Sequence, residues 1–188
     1  MIDSSAGIPR LSIEEMTPEL SSFLRPRVER LGYLGEFFQC AAHQPEALLS
    51  FLHWTEQLKH ALPNNLTETV ALSIAQLMGN DYERIQHERL TRMLGYSEEW
   101  IEDVLSLQAQ EDSHLLHEEA LVQRLVLAAV RRGGRDTSME FEAVTEALGP
   151  AKAIAVLMLI GRYLSHALIV NTLELAPPAL AVARGKQR

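Results

Sequence analysis

Residues 64–94 read NNLTETVALSIAQLMGNDYERIQHERLTRML, two helix-like segments separated by Gly79. The first segment is apolar around most of its predicted circumference, which is typical of a helix that is buried on several sides. The second segment is more polar and stops before Gly95. Because glycine ends helices and permits sharp turns, this stretch predicts an antiparallel helical hairpin at the centre of the protein, near residues 66–94.

Proline and capping residues divide the rest of the chain into further helical segments. The predicted helix starts are Thr17-Pro18, Pro45, Ser97, Ser113 or His114, Thr137 with Glu140 in capping-box spacing, and Gly149-Pro150. No segment alternates apolar and polar residues as a strand does. The sequence therefore predicts an all-α, single-domain bundle of about eight helices. The expected limits are an N-terminal arm over residues 1–16, a helical domain over 17–175 and a flexible C-terminal tail over 176–188.

Composition and charge narrow the classes of partner. The 188 residues include 17 Lys and Arg against 25 Asp and Glu, a net charge of −8 that disfavours binding to nucleic acid. The most apolar run, 153–160, is too short to cross a bilayer, so no membrane partner is expected. The single cysteine, Cys40, excludes an intramolecular disulfide, and the N-terminus lacks the pattern of a signal peptide. We expect a cytoplasmic protein.

The hairpin carries the residues with the clearest chemical potential. Glu83 and His87 are four residues apart on one predicted helix and share a face, so the carboxylate can orient the imidazole and raise its basicity. Asn80 lies one turn earlier, and Glu68 lies on the preceding helix. Simpler interpretations also fit: a solvent-exposed Glu83–His87 pair, a capping box formed by Glu68 with Asn65, and Asn80 as a plain helix cap.

The spacing of these residues resembles a known motif. The run Glu68-x11-Asn80-x2-Glu83-x3-His87 is in register with the alkylhydroperoxidase D motif, which has a glutamate, then Cys-x2-Cys, then a histidine. The surrounding residues resemble the carboxymuconolactone decarboxylase-like domain, and the similarity covers roughly residues 20–175. The matching positions are Leu62-Pro63, Glu68, Val70, Leu72, Gly79, Tyr82, Glu83, His87, Gly95 and Ser97. The resemblance implies a helical bundle of the alkylhydroperoxidase D-like type that assembles as a homotrimer or homohexamer.

The sequence departs from that motif at the two cysteine positions, which hold Asn80 and Glu83. Family members with the dithiol reduce peroxides through a thiolate that the second sulfur resolves. Neither Asn nor Glu can do this, so dithiol peroxidase activity is not expected. Cys40 lies in another predicted helix without a partner cysteine and is expected to be an inert core or interface thiol.

What remains resembles the cysteine-free members, typified by the γ-carboxymuconolactone decarboxylases. This resemblance implies a cofactor-free acid–base lyase or isomerase acting on a small organic acid or lactone. In that interpretation His87 supplies the proton, Glu83 orients it and Glu68 completes a relay. The alternatives are a non-catalytic oligomeric binding protein and residual peroxidase activity through Cys40.

Other polar residues are weaker candidates. Tyr82, from the resemblance, and Tyr163 with His166, three apart on the last apolar helix, are expected to line a binding pocket together with Asn80. A hydrogen-bonded core histidine is the simpler interpretation of His166. His114 and His117 share a helix with Glu118, but they do not form an H-E-x-x-H motif and no third ligand is evident. No metal site and no cofactor are therefore expected.

Overall fold

The computed structural model describes residues 7–108 and 113–177. Within these two ranges the chain forms nine α-helices and no strand. The helices are α1 (Pro18–Leu31), α2 (Glu36–Ala41), α3 (Pro45–Ala61), α4 (Asn64–Leu77), α5 (Asp81–Met93), α6 (Glu98–Ser106), α7 (His117–Arg131), α8 (Ser138–Leu148) and α9 (Pro150–Thr172). The predicted all-α class is confirmed, with nine helices rather than about eight.

The central hairpin is formed by α4 and α5, which pack against each other. Gly79 adopts φ +60, a left-handed conformation that favours glycine. The Asn80 amide then donates to the Ala75 carbonyl at 2.8 Å and closes the end of α4. This turn sends α5 back along α4, as the sequence predicts.

Helix α4 lies in the middle of the bundle, in contact with α5, α6, α7 and α9. Every residue from Leu66 to Ala75 is buried, the polar ones included. The apolar circumference of this helix therefore has a packing partner on each side. A charged side chain on α4 has little access to water.

Two apolar clusters of the core meet near the hairpin. One lies among α3, α4, α7, α8 and α9 and includes Val70, Leu125, Leu159 and Tyr163. The other lies under α1, α2 and the start of α3 and includes Tyr82. Tyr82 on α5 and Tyr163 on α9 therefore belong to different apolar clusters.

One predicted helix start is wrong, and one predicted capping box does not form. Helix α7 begins at His117, because the His114 ring (Nδ1) binds Asp103 on α6 at 2.8 Å and Glu119 reaches back to the Leu116 amide at 2.8 Å. The capping box that does not form is that of Thr137. Its hydroxyl donates to the Gly134 carbonyl at 3.4 Å, and Glu140 pairs instead with Arg132 at 3.1 Å.

Helix α9 is long and apolar enough, by length and composition, to cross a membrane. Its most apolar 18-residue window is 56% buried inside the protein, and the helix packs against α3, α4 and α8. These contacts are those of a core helix. The apolar run of α9 is longer than the sequence prediction of residues 153–160.

The two predicted termini are partly described. Residues 7–16 precede α1, and the Leu11 amide donates to the Gln39 carbonyl on α2 at 3.2 Å. The predicted tail begins just beyond α9, and residues 178–188 lie outside the described residues, as do residues 1–6 of the predicted arm. The domain limits stay predictions.

Candidate active site

Helix α4 supplies a buried carboxylate. Glu68 is only 2% exposed, although charged residues are almost never fully buried without a partner. It does not form the capping box considered from the sequence. The Asn65 side chain is directed elsewhere, to the Glu119 carboxylate at 2.7 Å. Glu68 is therefore available for contacts with α5.

Helix α5 supplies a second carboxylate and a histidine. The Asn80 side-chain oxygen accepts the Glu83 amide at 3.1 Å and caps the helix. From this start, Glu83 and His87 project one turn apart, and they are 8% and 6% exposed. The interpretation of a solvent-exposed pair is wrong, because both side chains lie inside the protein.

His87 lies between the two carboxylates. Its Nδ1 is 2.5 Å from Glu68 Oε2, and its Nε2 is 2.9 Å from Glu83 Oε2. Only the protonated imidazole has a donor on both nitrogens, so the imidazolium fits this arrangement best. Burial alone lowers the pKa of His87, but the carboxylates of Glu68 and Glu83 outweigh it and raise the pKa from 6.5 to about 9. At neutral pH, His87 is a buried cation.

Glu83 links His87 to a second histidine, on α9. Its other oxygen, Oε1, is 2.9 Å from His166 Nε2. Burial raises the pKa of Glu83, but hydrogen bonds and charge attraction from His166 and His87 lower it well below 4.5. Glu83 therefore stays ionised. The four side chains form one hydrogen-bonded chain in the order Glu68, His87, Glu83, His166.

The pKa values of the two histidines in this chain are shifted in opposite directions. Burial lowers the pKa of His166 below 6.5, and the attraction of Glu83 does not fully offset it. A neutral His166 that faces an ionised carboxylate carries its proton on Nε2. Its Nδ1 is then unprotonated and carries a lone pair, and this nitrogen has no hydrogen-bond partner among residues 7–108 and 113–177.

The two predicted tyrosines flank the chain in different ways. The Tyr163 hydroxyl is 3.3 Å from His87 Nε2, and burial raises its pKa well above 10. Tyr82 has its ring centroid 5.9 Å from that of His166, and its hydroxyl fits against Gly35, where any Cβ would lie 2.3 Å away. Both phenols stay protonated, because burial also raises the pKa of Tyr82 well above its usual value.

Sequence reasoning missed Arg162. This residue is 8% exposed, and its Nε donates to Thr55 Oγ1 at 3.1 Å. The guanidinium lies over two aromatic faces, 4.3 Å from the Tyr163 ring centroid and 5.0 Å from that of Phe51. Its Nη1 is buried and unpartnered within the described part of the chain. The available signal was a lone charge inside the most apolar helix.

Two further cations face the site from other helices. Burial lowers the pKa of Lys59 on α3 and of Arg27 on α1, while both groups feel the attraction of Glu83. Glu68 also attracts Lys59. Together with Arg162, they surround the carboxylates with positive charge.

The remaining sequence candidates lie apart from this chain. Asn80 acts as the cap of α5, and its amide nitrogen is buried without a partner among the described residues. His114 binds Asp103 at the surface. Across the described ranges, no group of three or more His, Cys, Asp or Glu side chains is arranged to hold a metal ion.

Cys40 is also remote, in the cluster beneath α1 and α2. It is 5% exposed, and burial raises the pKa of its thiol. A protonated, covered thiol is a poor nucleophile. Its surroundings fit the inert core thiol that the sequence predicts.

No protein-family model matches the sequence, and no curated protein matches it. Solved structures do match its fold. A peroxidase-related protein with an alkylhydroperoxidase AhpD core, from Ralstonia eutropha, superimposes with a TM-score of 0.78 over 91% of each chain at 13% identity. A protein of unknown function from Agrobacterium tumefaciens, described as an AhpD antioxidant defence protein, gives 0.62 at 18% identity over 73% of this chain and 94% of that one.

The debrominase Bmp8, in a variant complexed with 2,3,4-tribromopyrrole, gives a TM-score of 0.73 at 14% identity over 94% of this chain and 95% of that one. These identities are low, and the similarity lies in the arrangement of the helices. The predicted type of bundle is thereby confirmed. The chain has the alkylhydroperoxidase D-like fold.

Proposed function

We propose that this protein is a cofactor-free acid–base enzyme, a lyase or isomerase acting on a small organic acid or lactone in the cytoplasm. The observation that carries the proposal is the buried chain of Glu68, His87, Glu83 and His166. Opposed pKa shifts in neighbouring titratable groups are typical of an acid and a base at work at one pH. Here His87 is held protonated and His166 is held neutral, on either side of one carboxylate.

The two histidines have complementary roles in this proposal. His166 Nδ1, which has a free lone pair, accepts a proton from the substrate carbon or hydroxyl. His87 donates a proton to the carbon that becomes electron-rich. In an isomerisation, one proton leaves and one returns, so the reaction is balanced. In a decarboxylation, the electrons of the C–C bond stay on the substrate, neutral carbon dioxide leaves and the proton from His87 replaces it.

The carboxylates are positioning residues. Glu83 fixes the tautomer of His166 and, with Glu68, stabilises the charge on His87. When His87 gives up its proton, the two ionised carboxylates lose their cation and draw a proton back from solvent. In an isomerisation, His166 also releases to solvent the proton that it took from the substrate, so both histidines return to their starting states without a metal or an organic cofactor.

The environment of Cys40 argues against the thiol alternative, because a covered thiol with a raised pKa reacts slowly with peroxide. The Bmp8 complex with 2,3,4-tribromopyrrole is an example of this fold holding a small planar ring. That precedent supports a small organic molecule as the ligand here.

Self-association as a trimer or hexamer is the second part of the proposal. Three large apolar residues of α9, Ile154, Met158 and Leu168, are 49%, 44% and 65% exposed on the isolated chain. An assembly that covers them explains why a core helix leaves such side chains in water. Light scattering during gel filtration measures the mass, and a monomer at micromolar concentration contradicts the assembly.

The proposal is tested by proton exchange, which needs no knowledge of the net reaction. Unsaturated carboxylic acids and lactones are incubated with the protein in D₂O, and deuterium incorporation at carbon is followed by ¹H NMR. We expect exchange with at least one compound, and losses of roughly 10²–10⁴-fold in His87→Gln and in His166→Gln. His114→Gln is the matched control, since this histidine lies at the surface and should leave the rate unchanged.

Two results contradict the enzyme. One is exchange that persists in both buried-histidine variants. The other is an NMR pH titration in which His87 behaves as a solvent-exposed histidine, with no exchange in any compound. The second result favours a non-catalytic binding protein with this fold.

A further inference from the structure

We infer that Arg162 binds the carboxylate of a small organic acid directly beside the Glu68–His87–Glu83–His166 chain. As a substrate subsite this inference rests on the proposed function, and as a binding site it stands on the surroundings of Arg162. The guanidinium is inside the protein, yet its only described hydrogen bond is from Nε to Thr55. Its Nη1 has no acceptor among the described residues.

A guanidinium nitrogen without an acceptor is costly to bury, because the N–H groups of Nη1 lose water and gain no hydrogen bond in return. The aromatic rings of Tyr163 and Phe51 cover the guanidinium. Ring faces attract the cation, but they do not accept its in-plane N–H groups as oxygen does. A carboxylate fits that unfilled edge, since it accepts two parallel N–H bonds from arginine.

The position of Arg162 ties this edge to the acid–base chain. Arg162 and His166 are four residues apart on α9, so both side chains project from one face of the helix. Each carries a buried polar atom without a described partner, a donor on Arg162 and an acceptor at His166 Nδ1. A ligand that satisfies both has a carboxylate at one end and a transferable hydrogen a few bonds away.

The charges around the site favour an anion. Glu68 and Glu83 contribute two negative charges, and His87 cancels one of them. The guanidinium groups of Arg162 and Arg27 add two positive charges, and the amine of Lys59, whose pKa burial lowers, also lies within range of attraction from Glu83. An incoming carboxylate therefore enters a region with surplus positive charge. A neutral amide of the same shape gains much less electrostatic attraction there.

The ring of Phe37 completes the surroundings from α2. Its centroid lies 4.1 Å from that of His166 and 5.9 Å from that of Phe51. The rings of Phe37, Phe51 and Tyr163 thus give the surroundings of Arg162 and His166 several apolar faces. The chemical class that fits is a small monocarboxylate with a planar or apolar body.

The inference is tested with three acids and their neutral counterparts. Formate, acetate and benzoate are titrated into the full-length protein beside formamide, acetamide and benzamide, and binding is measured by calorimetry and by ¹⁵N chemical shifts. We expect at least one acid to bind about tenfold more tightly than its amide. Arg162→Gln should weaken that acid by about tenfold to a hundredfold and leave the amide unchanged.

Two further variants control for the loss of an arginine elsewhere and for the charge of Arg162. Arg92→Gln removes a 44%-exposed arginine and should leave binding unchanged. Arg162→Lys keeps the charge and loses the fork, so it should bind with intermediate affinity. If Arg162→Gln does not fold, the Nε resonance of Arg162 in the unmodified protein serves instead, and it should shift on addition of the acid but not of the amide.

Acids that bind no better than amides, or acid binding that Arg162→Gln leaves intact, overturn the subsite. These results leave the proposed function in place if deuterium exchange still depends on His87. Conversely, His87→Gln should eliminate exchange while the acid still binds at Arg162. Arg162-dependent binding without any exchange thus contradicts the enzyme and keeps the subsite.

Discussion

Two buried glutamates, Glu119 on α7 and Glu83 on α5, have hydrogen-bond partners of different kinds. Glu119 on α7 is 1% exposed and accepts hydrogen bonds from the Trp100 indole at 2.9 Å, the Asn65 amide at 2.7 Å and the Leu116 backbone at 2.8 Å. All three donors are neutral and none titrates near neutral pH. Glu83, by contrast, is bound by two histidines.

The two sets of partners differ in whether they can change their protonation state. The partners of Glu119 join α4, α6 and the start of α7, and they hold one charge state at every ordinary pH. The partners of Glu83 can gain or lose protons, so the charge on that chain depends on pH and on a ligand. Burial of a carboxylate alone does not indicate a candidate active site, whereas burial against titratable partners does.

The largest expected effect is the loss of the cation between Glu68 and Glu83. His87→Ala leaves both carboxylates buried without it, and removing one partner of a buried ion pair lowers the free energy of unfolding by about 3–5 kcal/mol. Asn65→Ala removes one of the three donors to Glu119 and should lower it by about 1 kcal/mol. Urea denaturation at pH 7 measures both variants.

The comparison fails if the two variants lose similar stability. His114→Ala is the control for the chemical change from histidine to alanine. Because this side chain is exposed at the surface, its effect should stay within about 0.5 kcal/mol.

The next effect is a dependence of stability on pH that only the histidine chain produces. The pKa of His87 rises from 6.5 to about 9 on folding, so its contribution is complete below pH 6.5 and is lost as pH rises from 6.5 through about 9. That contribution is on the order of 3 kcal/mol. The pKa of His166 falls below 6.5 on folding, so its contribution is present above pH 6.5 and is lost as pH falls below that value.

Together these signs place the maximum stability near pH 6.5. Urea denaturation from pH 5 to pH 9.5 checks it. The alkaline loss should disappear in His87→Gln, because the glutamine does not titrate. A free energy of unfolding that is constant from pH 6.5 to 9, or an alkaline loss that survives in His87→Gln, shows that the ion pair is not formed as described.

A smaller effect is expected when each glutamate is replaced by its neutral counterpart. Glu119→Gln keeps an oxygen for the Trp100 and Leu116 donors, and Asn65 can rotate its amide, so the loss should be about 1 kcal/mol and independent of pH. Glu83→Gln removes a charge that raises the pKa of His87, and that pKa should fall towards 6.5. NMR titration of His87 in both variants separates the two glutamates: only the second should move it.

The hairpin and the three candidate site residues on it were predictable because the signals are local. Gly79, the cap at Asn80 and the four-residue spacing of Glu83 and His87 act within two turns of helix. The resemblance then placed Glu68 opposite them. His166 and Tyr163 were predicted as pocket residues, and their contacts with Glu83 and His87 give them more definite places in the chain.

Arg162 was not predictable in the same way, because its surroundings come from distant parts of the sequence. Its hydrogen-bond partner Thr55 is 107 residues away, and Phe51 lies on the same helix, α3. No periodicity within α9 indicates what α3 places against it. The wrong helix start at Ser113 or His114 has the same origin, since Asp103 on α6 binds the His114 ring.

The smallest expected effect concerns the edge of the chain, at Tyr163. Its hydroxyl is 3.3 Å from His87 Nε2, a nitrogen already 2.9 Å from Glu83. Tyr163→Phe keeps the ring beneath Arg162 and removes only this long contact, so the free energy of unfolding should change by less than about 1 kcal/mol. The pKa of His87 should stay near 9 by NMR titration.

Tyr163→Leu, which removes the ring as well, should be the more destabilising of the two by denaturation. If the pKa of His87 falls clearly in Tyr163→Phe, the phenol oxygen accepts a hydrogen bond from the imidazolium and is a fifth member of the chain, so a neutral acceptor also raises the pKa of this histidine. The contrast between Glu83 and Glu119 would then depend on the presence of titratable histidines at Glu83, and not on the charge of the groups that bind those histidines.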